Sequence, residues 1–369
     1  MESYDAIVIG GGPAGAASAL SLLTHHNKRV LLLERGDFSQ ARIGEQVSHS
    51  IFDFLAYLDL PVSEFGESCF SPNYGKTSLW GSSIESHHLS MFATQGATYQ
   101  LDRAAFDETL LMAFVERGGT VIPRCKQMKI EQSDSVWQVQ FVHPEQGEQT
   151  VCCDYLVDAS GRQSKLSAML GVEPVMDDQL VGVGAFIRNP DNAFEQHQRI
   201  ESCEYGWWYM AGLSSELAVV TCFTDMDIMR EMRLNKASVW NQYLAETSAI
   251  ADCVKGSETT HPKLWVKQAH SQYCTSELPD RFIAVGDAAL SFDPVSSMGI
   301  GFAMTSACHS TRALVSDSKD AVLQYQQDMA RIYQEYHVTK TRIYQREKRW
   351  PNQLFWQRRH AFSALQHAS

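Results

Sequence analysis

No CxxC pair occurs among the nine cysteines of this chain, and their odd number and scatter offer neither a disulfide scaffold nor a zinc site. Thirteen histidines form no HxxxH pair on a plausible helix, so no metal site is expected, and His25-His26 and His87-His88 read as solvated surface. No run of about 18 apolar residues is present, which removes a spanning helix. Positive charge is scarce: 31 Lys and Arg against 43 Asp and Glu give a formal charge of −12, so nucleic acid or an anionic membrane would repel the chain at long range. Met1-Glu2-Ser3 leads into a strand without a basic segment, apolar stretch or cleavage site, so the expectation is a cytoplasmic protein with reduced thiols. No repeat, linker or low-complexity tract divides the sequence. Its 369 residues, 44% of them hydrophobic, suffice for two interleaved lobes.

What is present begins with Ala6-Ile7-Val8-Ile9, a buried strand running into Gly10-Gly11-Gly12-Pro13-Ala14-Gly15 and an Ala-rich helix. In this turn Gly10 permits the tight bend, Gly12 admits a pyrophosphate, and Gly15 lets helix and strand pack closely. The helix start at Pro13-Ala14 presents free N–H groups and a positive dipole end to phosphate. A second strand over 29–33 leads to Glu34-Arg35. Glu34 stands 19 positions after Gly15, where a carboxylate accepts ribose hydroxyls. Strand, turn, helix, strand and acid together predict a dinucleotide site. There is no second such turn.

Arg42-Ile43-Gly44-Glu45 precedes a helix predicted over 46–58, and Arg42 is either a phosphate ligand or a solvated arginine. Asp102 reads as the N-cap of a helix ending near Arg117, with Gly118-Gly119 as its stop and a strand over 120–122. Segments 127–132, 137–141 and 149–153 read as an antiparallel meander, and Tyr155 to Gly161 as a further strand carrying Asp158 to its end. Downstream, a strand over 281–285 ends in Gly286-Asp287, followed by Asp293-Pro294 and Met298-Gly299-Ile300-Gly301. An acid at a strand end suits a ribityl hydroxyl, and a glycine-rich helix start places N–H groups beside the pyrimidine of a flavin. Val322, Tyr325, Met329, Ile332, Tyr336 and Ile343 share one helical face, predicting a long helix that ends before Pro351. Its basic stretch, 340–349, is either a solvated face or a dock for a protein substrate.

Gly10 to Gly15 with Glu34, Arg103 at the Asp-Arg helix start, Asp158 to Gly161, and Gly286-Asp287 resemble the FAD-binding pattern of the para-hydroxybenzoate-hydroxylase-fold flavoproteins, over about residues 4–310. The family includes aromatic monooxygenases, tryptophan halogenases and geranylgeranyl reductases. The resemblance implies an α/β (α+β) fold: a discontinuous Rossmann-like FAD-binding lobe (1–70, 101–180, 275–317), a β-sheet substrate lobe (71–100, 181–274) and a C-terminal helical segment (318–369). It also implies that Gly10, Gly12, Ala14, Gly15 and Arg42 meet the FAD phosphates, Glu34 and Arg35 the adenosine end, and Arg103 the ribityl–pyrophosphate region. Asp287 would take the ribityl chain, and Gly299 and Ile300 the isoalloxazine edge.

Halogenases of the family carry Trp-x-Trp-x-Ile-Pro. The corresponding strand here reads Gly206-Trp207-Trp208-Tyr209-Met210-Ala211-Gly212-Leu213, without the second tryptophan at that spacing or the Ile-Pro. Lys76 precedes Trp80 but lacks the flanking residues of the halogenase lysine, and reads as solvated surface. Trp80-Gly81, Trp207 to Tyr209, Phe292-Asp293-Pro294, Arg349-Trp350-Pro351-Asn352 and Phe355-Trp356 resemble more closely the LodB/GoxB-like flavoproteins that mature cysteine tryptophylquinone enzymes. Trp80, Trp208 and Pro294 are the expected substrate-pocket residues, although large aromatics also serve simply as core. The resemblance implies an FAD-dependent monooxygenase hydroxylating a tryptophan of a precursor of a quinone-dependent amine or amino-acid oxidase. O₂ would be the co-substrate and NAD(P)H a transient reductant. Indole is electron-rich and needs little acid–base help, so no catalytic residue is assigned; His270, Lys76 and Asp293 are candidates only. The alternatives are a halogenase or small-aromatic hydroxylase, and a flavin-carrying assembly factor without catalysis.

Overall fold

The first strand, Glu2–Ile9, lies inside a sheet ordered Thr120–Ile122, Val30–Leu33, Glu2–Ile9, Gly147–Asp158, Val136–His143, Lys126–Ser133, with Phe282–Ala284 also paired to Gly147–Asp158. In this computed structural model, residues 2–73, 75–89, 98–172, 174–189, 194, 197–274 and 277–366 are described. Glu2–Ile9 runs parallel to Val30–Leu33 and to Gly147–Asp158, which runs parallel to Phe282–Ala284. Ile9 stands level with Leu33 and with Asp158, and Asp158 with Ala284. The glycine turn, Glu34, Ser160 and Gly286 therefore leave the sheet along one edge, the carboxyl-end crevice where open parallel sheets bind ligands.

Ala6 and Val8 pack beneath the first helix, Pro13–His26, while Ile7 and Ile9 pack on the opposite face with Trp137 and Leu156. The meander forms as expected. Its last strand and the one expected to follow are, however, one continuous strand, Gly147–Asp158, whose first half pairs antiparallel with Val136–His143. Nothing breaks it between Cys153 and Tyr155, because both side chains point into buried clusters.

The second sheet is ordered Glu258–Thr259, Leu180–Arg188, Leu217–Asp225, Gly206–Gly212, His197–Cys203, Gly75–Leu79, Ser86–Leu89, with Trp265–Gln268 also on Leu180–Arg188. Its strands alternate. Val181, Val183, Trp208, Met210, Val220 and Cys222 face a rear core closed by helices Met226–Met232 and Ala237–Ala245. Leu180, Ile200, Trp207, Tyr209 and Phe223 face forward, where Tyr344, Phe355 and Trp356 of the C-terminal segment cover part of the sheet.

The helix predicted over 46–58 shrinks to Ile51–Tyr57. Gln46–Ser48 instead forms a strand against Thr98–Leu101, which also pairs with Phe70–Pro72, and Val47 is buried there. Cross-strand pairing thus overrides the local helical pattern. The long helix, Lys319–Gln345, starts at Ser318, whose hydroxyl accepts from Ala321 N, and ends before Pro351; a further helix, Leu354–Gln366, follows. No described helix is long and apolar enough to cross a membrane.

Candidate cofactor and substrate site

The glycine turn has the geometry its spacing predicts. Gly10 adopts φ +113°, and a Cβ on it would lie 2.2 Å from the Ala159 carbonyl oxygen. One on Gly15 would lie 1.8 Å from the Gly10 oxygen, so the helix cannot sit at this distance from the strand with any other residue there. Gly12 differs: its Cβ direction meets only Arg42 Nη1, at 3.3 Å. No side chain caps the helix that begins at Pro13, which leaves its first N–H groups directed into the open crevice. Ala14 is packed beneath, its Cβ against the Gly286 backbone.

Arg42 Nη1 donates to the Gly11 carbonyl and to Asp107 Oδ2, each at 3.1 Å. Arg103 straddles the same carboxylate, Nε to Oδ1 at 3.1 Å and Nη2 to Oδ2 at 2.9 Å, and its Nη1 donates to the Ile43 and Gly44 carbonyls at 2.7 and 2.9 Å. Two guanidinium groups converge on one carboxylate beside a helix start that no side chain caps, so cationic groups and free N–H donors lie together. That is the electrostatics of an anion site. Asp107 was not anticipated, although its place four residues after Arg103 on one helix was a usable signal.

Glu34 lies at the rim of the turn and accepts from Gly11 N (2.7 Å) through Oε2 and from Gly36 N (2.6 Å) through Oε1. Each oxygen keeps acceptor capacity for a hydroxyl. Arg35 beside it is exposed. Asp158 is fully buried and already occupied by Ser160 N, Ser167 N and Ser167 Oγ, so it holds the loop rather than a ligand. Asp287 is partly exposed and pairs with Arg162 at 3.3 Å. Arg162 stands one residue past the Asp158 to Gly161 motif and also bonds the Gln268 and Phe292 carbonyls. At the start of helix Gly299–Leu314, Gly299 and Gly301 have open space where a Cβ would stand, and Ile300 is buried below them. The donors, uncapped helix starts and Cβ-free surfaces all fit a dinucleotide, and a flavin at its far end.

Across from this edge, Tyr209 reaches over from the second sheet and donates to Glu45 Oε1 at 2.5 Å, while Glu45 Oε2 accepts from Gly44 N at 2.9 Å. Burial raises the Glu45 carboxyl above its ordinary range, against the two hydrogen bonds and Arg103, which act to lower it. Burial and that carboxylate push the Tyr209 phenol well above its ordinary value, so it remains a neutral donor. Lys76 shares this forward face, directly opposite Gln198 on the neighbouring strand. Its expected solvation is corrected: Lys76 is half-buried, and desolvation lowers its pKa.

Trp208 is also corrected as a pocket residue. The two-residue alternation of its strand turns it into the rear core, where it is fully buried, packs on Trp240 at 5.3 Å and donates to the Tyr205 hydroxyl. Tyr209 takes the forward position. Trp80 packs among Trp207, Tyr344 and Trp356 with centroids 5.6 to 6.2 Å away, and donates to the Ile343 carbonyl. Its edge also borders an open cleft of about 860 Å³ shared with Arg342, Arg346, Lys348 and His360. Pro294, half-buried, begins the turn Pro294–Ser296.

Of the remaining candidates, Asp293 is fully buried with its oxygens taken by Val295 N and the Tyr344 hydroxyl, and burial raises its pKa. His270 is buried against Gln272, and desolvation lowers its pKa. Both are structural joints in this geometry. Among the described residues no cluster of His, Cys, Asp or Glu is arranged to hold a metal.

A model of the FAD binding domain family matches residues 3–341. The flavin-dependent halogenase armH5 of Armillaria mellea is 24% identical over 87% of this chain and 66% of its own length. The chain spans 63–66% of the first curated relatives it matches, all of them halogenases. Among solved structures, the myxobacterial chondrochloren halogenase CndH superposes with a TM-score of 0.85 at 24% identity, covering all of this chain and 89% of its own. The peptidyl tryptophan dihydroxylase QhpG, described as essential for tryptophylquinone cofactor biogenesis, gives 0.71 at 21% identity, covering 97% and 78%. At these identities the structural likenesses establish the fold.

Proposed function

The chain belongs to the FAD-binding domain family, FAD is accordingly its cofactor, and we propose that it is a monooxygenase hydroxylating a tryptophan side chain of a precursor polypeptide during tryptophylquinone formation. The observation that carries this reading is the two-arginine cradle at the glycine turn, beside the forward face of the second sheet where Trp207, Tyr209 and Phe223 stand. Such a site holds a redox cofactor and an electron-rich ring without acid–base activation of the ring. A polypeptide substrate is supported by the open cleft at Trp80, whose exposed arginines and lysine suit an acidic segment, in a chain of net charge −12.

FAD, once reduced by an external two-electron donor such as NAD(P)H, would supply the chemistry that sends one atom of O₂ to the ring and the other to water. The chain's own residues bind, orient and exclude water. The N–H groups after Gly12 and the Arg42 guanidinium hold phosphate, Glu34 the ribose, Asp287 the polyol, and the Gly299-Ile300 backbone the ring edge. The closely packed aromatics Trp207, Phe223 and Trp356 keep that side dry.

A second reading, halogenation, draws on the curated relatives and on Lys76, a desolvated amine on the forward face. Intact-mass analysis of a candidate quinoenzyme precursor, produced with and without this protein, separates them. Oxygen-atom increments on a tryptophan only in its presence support hydroxylation. Halogen increments in chloride or bromide support the second reading and overturn the first.

A further inference from the structure

Seven residues form a single hydrogen-bonded series from the second sheet to the glycine turn. Tyr209 Oη donates to Glu45 (2.5 Å), and Glu45 accepts from Gly44 N (2.9 Å). Arg103 Nη1 then donates to the Gly44 carbonyl (2.9 Å), and its other nitrogens bind Asp107. Arg42 binds the far side of Asp107 and the Gly11 carbonyl, each at 3.1 Å. Every polar link is a charge-assisted bond or a backbone bond, and most of the series is shielded: Glu45 is 6% exposed and the Asp107 side chain 8%. A Cβ placed on Gly44 would lie 3.4 Å from Arg103 Nη1 and 3.8 Å from Ile300 Cδ1, so the loop that Glu45 fixes abuts the start of helix Gly299–Leu314 as well.

We propose that Tyr209 and Glu45 are positioning residues through which the substrate sheet sets the electrostatic environment of the bound flavin. The proposal rests on the assignment of Gly299 and Ile300 to the isoalloxazine edge. Tyr209 is the only member contributed by the second sheet, and its ring is only half-buried on the forward face, where an aromatic substrate would pack. Movement of the phenol changes the hold on Glu45, and Glu45 holds the loop on which Arg103 rests. A buried carboxylate so placed opposes the gain of negative charge by the flavin on reduction, and a neutral amide does not.

The test uses the FAD-loaded protein with Tyr209→Phe, Glu45→Gln and the double variant, reading the midpoint potential of bound flavin and the FAD dissociation constant. Glu45→Gln, which keeps an acceptor for the phenol, is expected to raise the reduced-to-oxidised ratio about tenfold at fixed potential, equivalent to about 30 mV for two electrons. Tyr209→Phe is expected to weaken FAD binding at least threefold, and the double variant to fall short of the sum of the single effects. Parent-like potential and affinity in both single variants, or strictly additive changes, overturn the proposal. If Tyr209→Phe fails to fold, the potential of Glu45→Gln alone decides it. A parent protein that binds no FAD contradicts the assignment of function instead.

Discussion

Gly12 and Gly15 belong to one motif, yet the space around them separates their roles. Alanine at Gly15 would put its Cβ 1.8 Å from a backbone oxygen, whereas alanine at Gly12 meets only the movable end of Arg42 at 3.3 Å. Gly15→Ala should therefore lower the melting temperature of the apoprotein itself, and Gly12→Ala should leave it within a degree or two while FAD affinity falls. Melting curves with and without FAD distinguish the two. Asp287→Ala removes one charge-assisted acceptor worth about 1.5–3 kcal/mol and should weaken FAD binding roughly 10- to 100-fold; equilibrium flavin titration checks this. At this scale the turn and Glu34 are legible from spacing, whereas Arg42 reads equally as a solvated arginine and Arg103 enters only through the family resemblance. Asp107 and Tyr209 were not legible, since their roles depend on which residues the fold brings beside them. Trp208 misled for a simpler reason: adjacent residues on a strand face opposite ways, and only the sheet decides which side meets the cofactor lobe.

Elements meet at the C-terminal segment, where one carboxylate ties several together. Glu347 accepts from Gly81 N (2.7 Å), Ser202 Oγ (2.6 Å) and Arg349, joining the strand ends at Leu79 and Cys203 to the segment after the long helix. Burial by itself would raise its pKa, but Arg349, Ser202 and the backbone donors outweigh that and hold it at about 2, against an ordinary 4.5. A depressed carboxyl contributes stability above its unfolded pKa and loses it as pH falls through the folded value. The melting-temperature gap between the parent and Glu347→Gln should be full at pH 7 and close between about pH 4.5 and pH 2. A gap that persists at pH 2 would show that the substitution acts through packing.

Trp356 anchors the last helix, fully buried against Trp80, Tyr344 and Phe355, and its indole N–H donates to the Cys203 carbonyl. Trp356→Ala should cost about 3–5 kcal/mol in urea unfolding with little effect on FAD affinity. The long helix was legible from its apolar period. The strand Gln46–Ser48 was hidden in what reads as helix, because its partner Thr98–Leu101 lies some fifty residues on and only pairing reveals it.

Seen whole, the loop at Glu45, which follows the first sheet's strand Val30–Leu33, meets the forward side of the second sheet through the Tyr209–Glu45 hydrogen bond. The chain carries a formal charge of −12, and the cleft by Trp80 gathers Arg342, Arg346 and Lys348. The glycine turn, Glu34 and Gly286-Asp287, with the family resemblance they carry, suffice for an FAD-binding fold with a second, sheet-built lobe. The substrate could not be read in the same way, since it is set by side chains from many elements that converge only in the fold.

Isotope labelling follows the oxygen atom that the proposed reaction moves from O₂ to a tryptophan in a polypeptide. The FAD-loaded protein, a precursor polypeptide and a reductant are incubated under ¹⁸O₂, and the precursor is mapped by tandem mass spectrometry. Hydroxylation as proposed places ¹⁸O in the indole ring of one tryptophan, dependent on this protein and reduced with Gly12→Ala at limiting FAD. An unlabelled tryptophan under the same conditions, or one carrying halogen in place of oxygen, would contradict it.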